Sequence, residues 1–158
     1  MASANKPIAV VFDCMVFVQA TANRRSAAAR VLDLLDTGEI ELFLSPAILR
    51  ELADVIRRST LRNRLPGITN EAVENLFTRL KKKATLVKRI PKIFTYPRDP
   101  KDEPYLNLAI ATKASFIVSR DNDLLDLMRW DQAEGREFQK RFRFLRVVTP
   151  EAFLTETL

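Results

Sequence analysis

Apolar positions in this chain fall into two kinds of run. Short ones occur at Ile8–Phe12, Ile40–Leu44, Thr85–Lys88, Ser115–Ser119 and Phe144–Val148, and they read as strands, with burial on two sides. Between them lie longer stretches with helical spacing: Ala27–Leu35, Pro46–Arg58, Asn70–Lys83, Glu103–Ala114 and the shorter Asn122–Met128. Ser45 and Thr69 stand at cap positions, and Pro46 suits a first helical turn. Prolines break Arg89–Lys101 into a loop, and Pro150 opens a final turn through Leu154. Strands alternating with helices predict a parallel sheet covered on both faces, an α/β architecture.

The three glycines, Gly38, Gly67 and Gly135, are expected where helices or turns end. So few glycines leave no phosphate-cradling loop, which excludes dinucleotide and P-loop nucleotide binding of the usual kind. A length of 158 residues predicts one domain spanning 1–158. No apolar run approaches the ~18–20 residues needed to span a bilayer, and Ile8–Phe12 is too short for a secretory segment. A cytoplasmic protein without membrane contact is expected. Cys14 is the single cysteine, read as a small buried apolar residue and not a reactive thiol.

The chain has no histidine. That excludes Ser-His-Asp and Cys-His hydrolysis and histidine-bound zinc. A hydrolase of this composition must activate water through carboxylates holding a hard cation. Asp13 follows the first strand; Asp121 and Asp123 follow Ser115–Ser119. In open parallel sheets, ligands bind beyond the carboxyl ends of strands. Glu51 sits at the edge of the apolar stripe of Pro46–Arg58, and Asp102 projects along the buried face that Leu106 and Ala109 continue. Taken singly, each acid reads as a turn residue, a helix cap or a solvated side chain. Taken together in one cleft, they would repel one another unless a divalent cation offset the repulsion. All-oxygen ligation selects Mg²⁺ or Mn²⁺.

Four stretches in order resemble a known family. They are Val10-Val-Phe-Asp13, Ser45-Pro-Ala-Ile-Leu-Arg-Glu51-Leu, Asp99-Pro-Lys-Asp102-Glu-Pro-Tyr-Leu-Asn-Leu-Ala109 and Phe116-Ile-Val-Ser-Arg-Asp121-Asn-Asp123. With the closing Val148-Thr-Pro-Glu-Ala-Phe-Leu154, the chain resembles PIN domains over nearly its whole length, and among them the VapC-like toxins of bacterial toxin–antitoxin pairs. The resemblance implies a three-layer α/β/α sandwich around a central, mainly parallel sheet. It implies Mg²⁺- or Mn²⁺-dependent RNA cleavage, with Asp13, Glu51, Asp102 and Asp121 as the catalytic, metal-holding acids. Asp123 would be an accessory ligand, and the Ser119 hydroxyl would orient a carboxylate. A small antitoxin partner and a homodimer or higher oligomer are expected. Cys14 and Met15 depart from the small polar residue and asparagine that often follow the family's first aspartate. Met15 lacks an amide's hydrogen bonds, so a non-catalytic RNA- or protein-binding module stands as an alternative, beside an RNA-processing nuclease without antitoxin. A haloacid-dehalogenase-like phosphatase lacks its second aspartate, since Met15 stands there.

The net charge is +6. Between Arg79 and Lys101 there are nine basic residues and one acid, Asp99. Arg57, Arg58, Arg62 and Arg64 form another acid-free group. A negative centre ringed by positive charge suits a nuclease, and Arg57, Arg58, Lys81, Lys82, Lys83, Lys101 and Arg120 are the candidate phosphate contacts. A run such as Lys81–Lys83 also suits a solvated helix end. Trp130 and Phe138 are read as core or subunit-contact aromatics before base-stacking ones.

Overall fold

A computed structural model describes residues 6–157. Five parallel strands form one sheet: β1 Ile8–Phe12, β2 Ile40–Leu44, β3 Thr85–Leu86, β4 Phe116–Val118 and β5 Arg146–Val148. Their order is β3-β2-β1-β4-β5. The chain winds outward from β1 to β3, then returns to the other side of β1 for β4 and β5. Helices pack over the sheet, giving a PIN-like α/β/α arrangement. The direction of winding reverses between β1 and β4, and that crevice is where open parallel sheets hold ligands.

Nine α-helices cover the sheet among the described residues: α1 Cys14–Ala22, α2 Ala27–Thr37, α3 Pro46–Ile56, α4 Ser59–Arg64, α5 Asn70–Lys83, α6 Glu103–Thr112, α7 Asn122–Leu125, α8 Ala133–Arg141 and α9 Pro150–Thr157. Helix α1 packs on α2 and α2 on α9, while α6 lies against β1, β2 and β4. The central strands β1 and β4 are buried on both faces: Val10, Val11 and Phe12 are consecutive and fully buried, as are Ile117 and Val118, whereas the edge strand β3 is exposed. Among the described residues, no helix is long and apolar enough to cross a membrane.

The caps expected at Ser45 and Thr69 form: their hydroxyls accept from the amides of Ile48 (3.2 Å) and Ala72 (3.1 Å). Gly38 ends α2 with φ +79°, a left-handed conformation that glycine adopts without strain. Gly135 departs from its expected place, for it lies inside α8. A Cβ there would meet the Arg129 carbonyl oxygen at 2.1 Å, so close backbone packing explains the glycine.

Three helices carry no usable pattern in the sequence. In α1, Cys14, Val16, Phe17, Val18 and Ala20 are all buried, so no polar face marks the 3.6-residue period. Helix α4 is short and charged, and α8 buries only Gly135 and Phe138. The region Asn122–Met128 is two pieces, α7 and a 3-10 turn at Asp126–Met128. The final segment is a full helix, continuing past Leu154.

Candidate metal centre

Backbone pairing fixes the first acid. Phe12 pairs with Val118, and the Asp13 amide donates to the Val118 carbonyl at 3.1 Å. Asp13 thereby stands beside Ser119, at the carboxyl ends of two adjacent strands. Its Oδ1 accepts from the Met15 amide at 2.8 Å, capping α1, and its Oδ2 accepts from the Ser119 hydroxyl. The support expected from a polar side chain at position 15 comes instead from that residue's backbone N–H. The Met15 side chain, 41% exposed, forms an apolar part of the cleft wall.

Ser119 is fully buried and does two things. While donating to Asp13, it accepts the Asp121 amide at 2.9 Å. Asp121 then caps α7 by accepting the Asp123 amide at 2.9 Å. One hydroxyl thus sets the positions of two carboxylates.

Asp102 arrives on the turn before α6. Its side chain makes no capping hydrogen bond. The carboxylate is 5% exposed, and Oδ2 is buried without a hydrogen-bond partner. An isolated buried carboxylate oxygen is costly, so such a group neutralises or binds a cation. Burial, and after it the nearby negative charges of Asp121 and Asp99, push the Asp102 carboxyl up to about 8. Burial likewise raises Asp13, with the hydrogen bond from Ser119 acting against it.

One carboxylate oxygen from each of Asp99, Asp102, Asp121 and Asp123 lies within 4.8 Å of the others. Asp13, Glu51, Asp102 and Asp121 line a single cleft of about 430 Å³, together with Asp99, Lys101, Tyr105 and Arg120. The structure therefore brings the five expected acids together in two overlapping groups that share Asp99, Asp102 and Asp121. Asp123 reaches only the first group, and its charge is met by Arg98 at 2.8 Å. Glu51 is solvent-exposed at the edge of α3 and accepts the Tyr105 hydroxyl.

Three contributors were not singled out from sequence. Asp99 reads there as the lone acid of a basic stretch, yet it caps the 3-10 turn Pro100–Asp102 and joins the carboxylate cluster. Tyr105 lies one helical turn after Asp102, a spacing that marks a shared face. Its hydroxyl donates to Glu51 and accepts the Cys14 amide at 3.2 Å, tying α3, α6 and α1 together. Arg98 bridges Asp123 and Asp126, the latter at 2.6 Å. Cys14 itself is buried and its thiol is pushed up to about 12 by desolvation, which keeps it inert at neutral pH.

The candidate phosphate contacts separate. Lys101 and Arg120 line the cleft. Arg58 pairs with Asp54 at 2.6 Å, and the Arg57 guanidinium sits 5.3 Å from the Phe77 ring centre. Lys81, Lys82 and Lys83 end α5 away from the cleft wall. Lys83 reaches the Asp36 carbonyl at 3.5 Å, where α2 runs out toward the start of β2. Phe138 is fully buried against Phe94 and Phe142, whereas Trp130 is 55% exposed.

The donor set is all oxygen, mostly carboxylate, and includes an orphaned buried oxygen. It fits a divalent cation held by hard ligands. An acidic centre at the switch point of a doubly wound sheet is also the arrangement of a metal-dependent hydrolase. The sequence model of the PIN domain matches residues 9–123, and the chain belongs to that family. Members of this family are generally metal-dependent nucleases. The chain is also similar to the uncharacterized protein MJ1680 of Methanocaldococcus jannaschii, with 29% identity over 149 residues, covering 94% of this chain and 91% of the relative.

Proposed function

We propose that this protein is an endoribonuclease dependent on Mg²⁺ or Mn²⁺, that residues 1–158 form one nuclease domain, and that it serves in the cytoplasm as the toxin of a toxin–antitoxin pair. The observation that carries the metal reading is the buried, unpartnered Oδ2 of Asp102 amid the carboxylates of Asp99, Asp121 and Asp123. Asp13, Glu51, Asp102 and Asp121 would hold the cation, with Asp99 and Asp123 at its margin. When bound, the cation supplies an acidified water and shields charge building on a phosphodiester.

The chain's own residues prepare the site. Ser119 fixes Asp13 and Asp121. Tyr105 fixes Glu51. Lys101 makes no ion pair among the described residues, so its ammonium is available to a phosphate at the cleft. Arg120 stands on the same cleft, with part of its charge met by Glu151. The toxin assignment, and with it a small antitoxin and self-association, rests on the resemblance to VapC-like chains; the four motifs themselves support a PIN nuclease of either kind.

The test is cleavage of single-stranded RNA by purified protein with and without Mn²⁺, beside Asp121→Asn. Metal-dependent cleavage by the wild type and none by the variant is expected; cleavage that survives chelation contradicts the reading. Co-purification of the product of the neighbouring gene separates a toxin from an RNA-processing enzyme.

A further inference from the structure

A second groove adjoins the acid cleft. It encloses about 440 Å³ between the start of α3 and the proline-rich segment before α6. The two cavities share no lining residue but are walled by neighbouring ones. Arg50 lines the groove and its neighbour Glu51 the cleft; Pro100 and Glu103 line the groove, and Lys101 and Asp102 between them line the cleft.

The groove carries excess positive charge. Arg50 and Lys88 are exposed and make no ion pair among the described residues. Lys92 is 71% exposed in its side chain and meets Glu103 at 3.5 Å. That glutamate also accepts the Tyr96 amide at 2.9 Å, so it is held by the fold. Pro46, Ile90, Pro91 and Pro104 supply apolar wall between the cations. Across the cleft the balance differs, for Arg120 is engaged by Gln19 at 2.7 Å and by Glu151. The two exits from the acid centre are therefore electrostatically unequal.

We propose that this groove is the track along which a single-stranded RNA backbone leaves the acid cleft, with Arg50, Lys88 and Lys92 holding its phosphates. The proposal rests on the ribonuclease reading above. Phosphates need cations not already met by carboxylates; Arg50 and Lys88 are such cations, while Lys92 shares its charge with Glu103. Its apolar wall suits sugar and base faces between phosphates. Lys113 and Arg143 are exposed, precede β4 and β5 and line neither cavity, and they serve as a charge-matched control.

The experiment measures binding of a fluorescently labelled single-stranded RNA of about 16 nucleotides by anisotropy, in EDTA and over a salt series. Proteins compared are the wild type, Arg50→Glu with Lys88→Glu, the milder Arg50→Gln with Lys88→Gln, and Lys113→Glu with Arg143→Glu. The groove variants should bind at least ten-fold more weakly. Their log–log salt slope should flatten by about 1.4, since each of the two phosphates no longer neutralised accounts for roughly 0.7 on a single strand. The Lys113→Glu with Arg143→Glu variant should bind within about two-fold of wild type. If a charge-reversed protein fails to fold, the glutamine pair decides. Unchanged affinity in the groove variants, equal weakening by the control pair, or no RNA binding by the wild type overturns the track. Cleavage of the same RNA in Mn²⁺ is followed in parallel. Wild-type cleavage beside groove variants of unchanged affinity removes only the groove. Groove-dependent binding without cleavage removes only the ribonuclease reading.

Discussion

Ser119 donates its hydroxyl hydrogen to Asp13 although 106 positions separate them in the chain. The bond joins the ends of β1 and β4 where the winding of the sheet reverses, and the same oxygen receives the Asp121 amide. Two acids of the centre are thus held by one side chain.

Ser119→Ala should weaken Mn²⁺ binding by about 10- to 100-fold, the usual effect of losing a group that orients a metal ligand. It leaves the Asp121 amide without its acceptor and costs about 1–3 kcal/mol of stability. Calorimetric titration with Mn²⁺ and denaturant unfolding check the two parts. Unchanged metal affinity would show that Asp13 needs no support from Ser119.

Asp102 gives the metal-free protein a distinctive pH dependence. Its carboxyl lies near 8 in the folded protein against an ordinary 3.8. Between those values the folded form retains a proton that the unfolded chain has lost, so stability falls as pH rises. Asp102→Asn removes this contribution. Melting of metal-free protein should therefore decline less from pH 5 to 8 in the variant, measured over roughly that window, while Mn²⁺ binding collapses. A steeper decline in the variant would contradict the assignment.

Tyr105→Phe removes the donor to Glu51 and the acceptor for the buried Cys14 amide. A loss of about 1–3 kcal/mol is expected from the orphaned amide. Glu51, freed at the edge of α3, should also hold metal less well. Wild-type stability in the variant would mean that water replaces the phenol hydroxyl.

Arg98 faces Asp123 and Asp126 in ion pairs of 2.8 and 2.6 Å. Arg98→Ala leaves Asp123 unneutralised beside three other carboxylates. The metal-free melting temperature should fall, and Mn²⁺ should restore more of it than it adds to the wild type. A smaller metal-induced rise in the variant would show that Arg98 does not balance the cluster.

Much of this arrangement was legible in the residues because strand burial and helix caps leave local marks. Unbroken apolar runs located the strands that end at Asp13 and just before Ser119. Ser45 and Thr69 marked helix starts, and the stripe of Ile48, Leu52 and Ile56 placed Glu51 at its edge. Helix α1 was illegible because burial nearly all round erases the polar face that periodicity needs. The role of Asp102 was ambiguous, since an acid before a proline-initiated helix reads as a cap; only the folded geometry shows its oxygen without a partner. Asp99 and Arg98 were hidden for another reason: their partners are distant in sequence, and a charge in a basic stretch gives no sign of what it faces. The same limit applies to Lys81–Lys83, whose density of charge carries no information about which end of the sheet they border; they do not line the acid cleft.

The most direct test of the acidic metal centre is Mn²⁺ binding followed by electron paramagnetic resonance, as loss of the free-ion signal on titration into metal-free protein. The account predicts saturable binding by the wild type at sub-millimolar to millimolar metal. It predicts that Asp102→Asn and Asp121→Asn each abolish most of that binding while remaining folded. Retention of the full free-ion signal by the wild type, or undiminished binding in both variants, would contradict it.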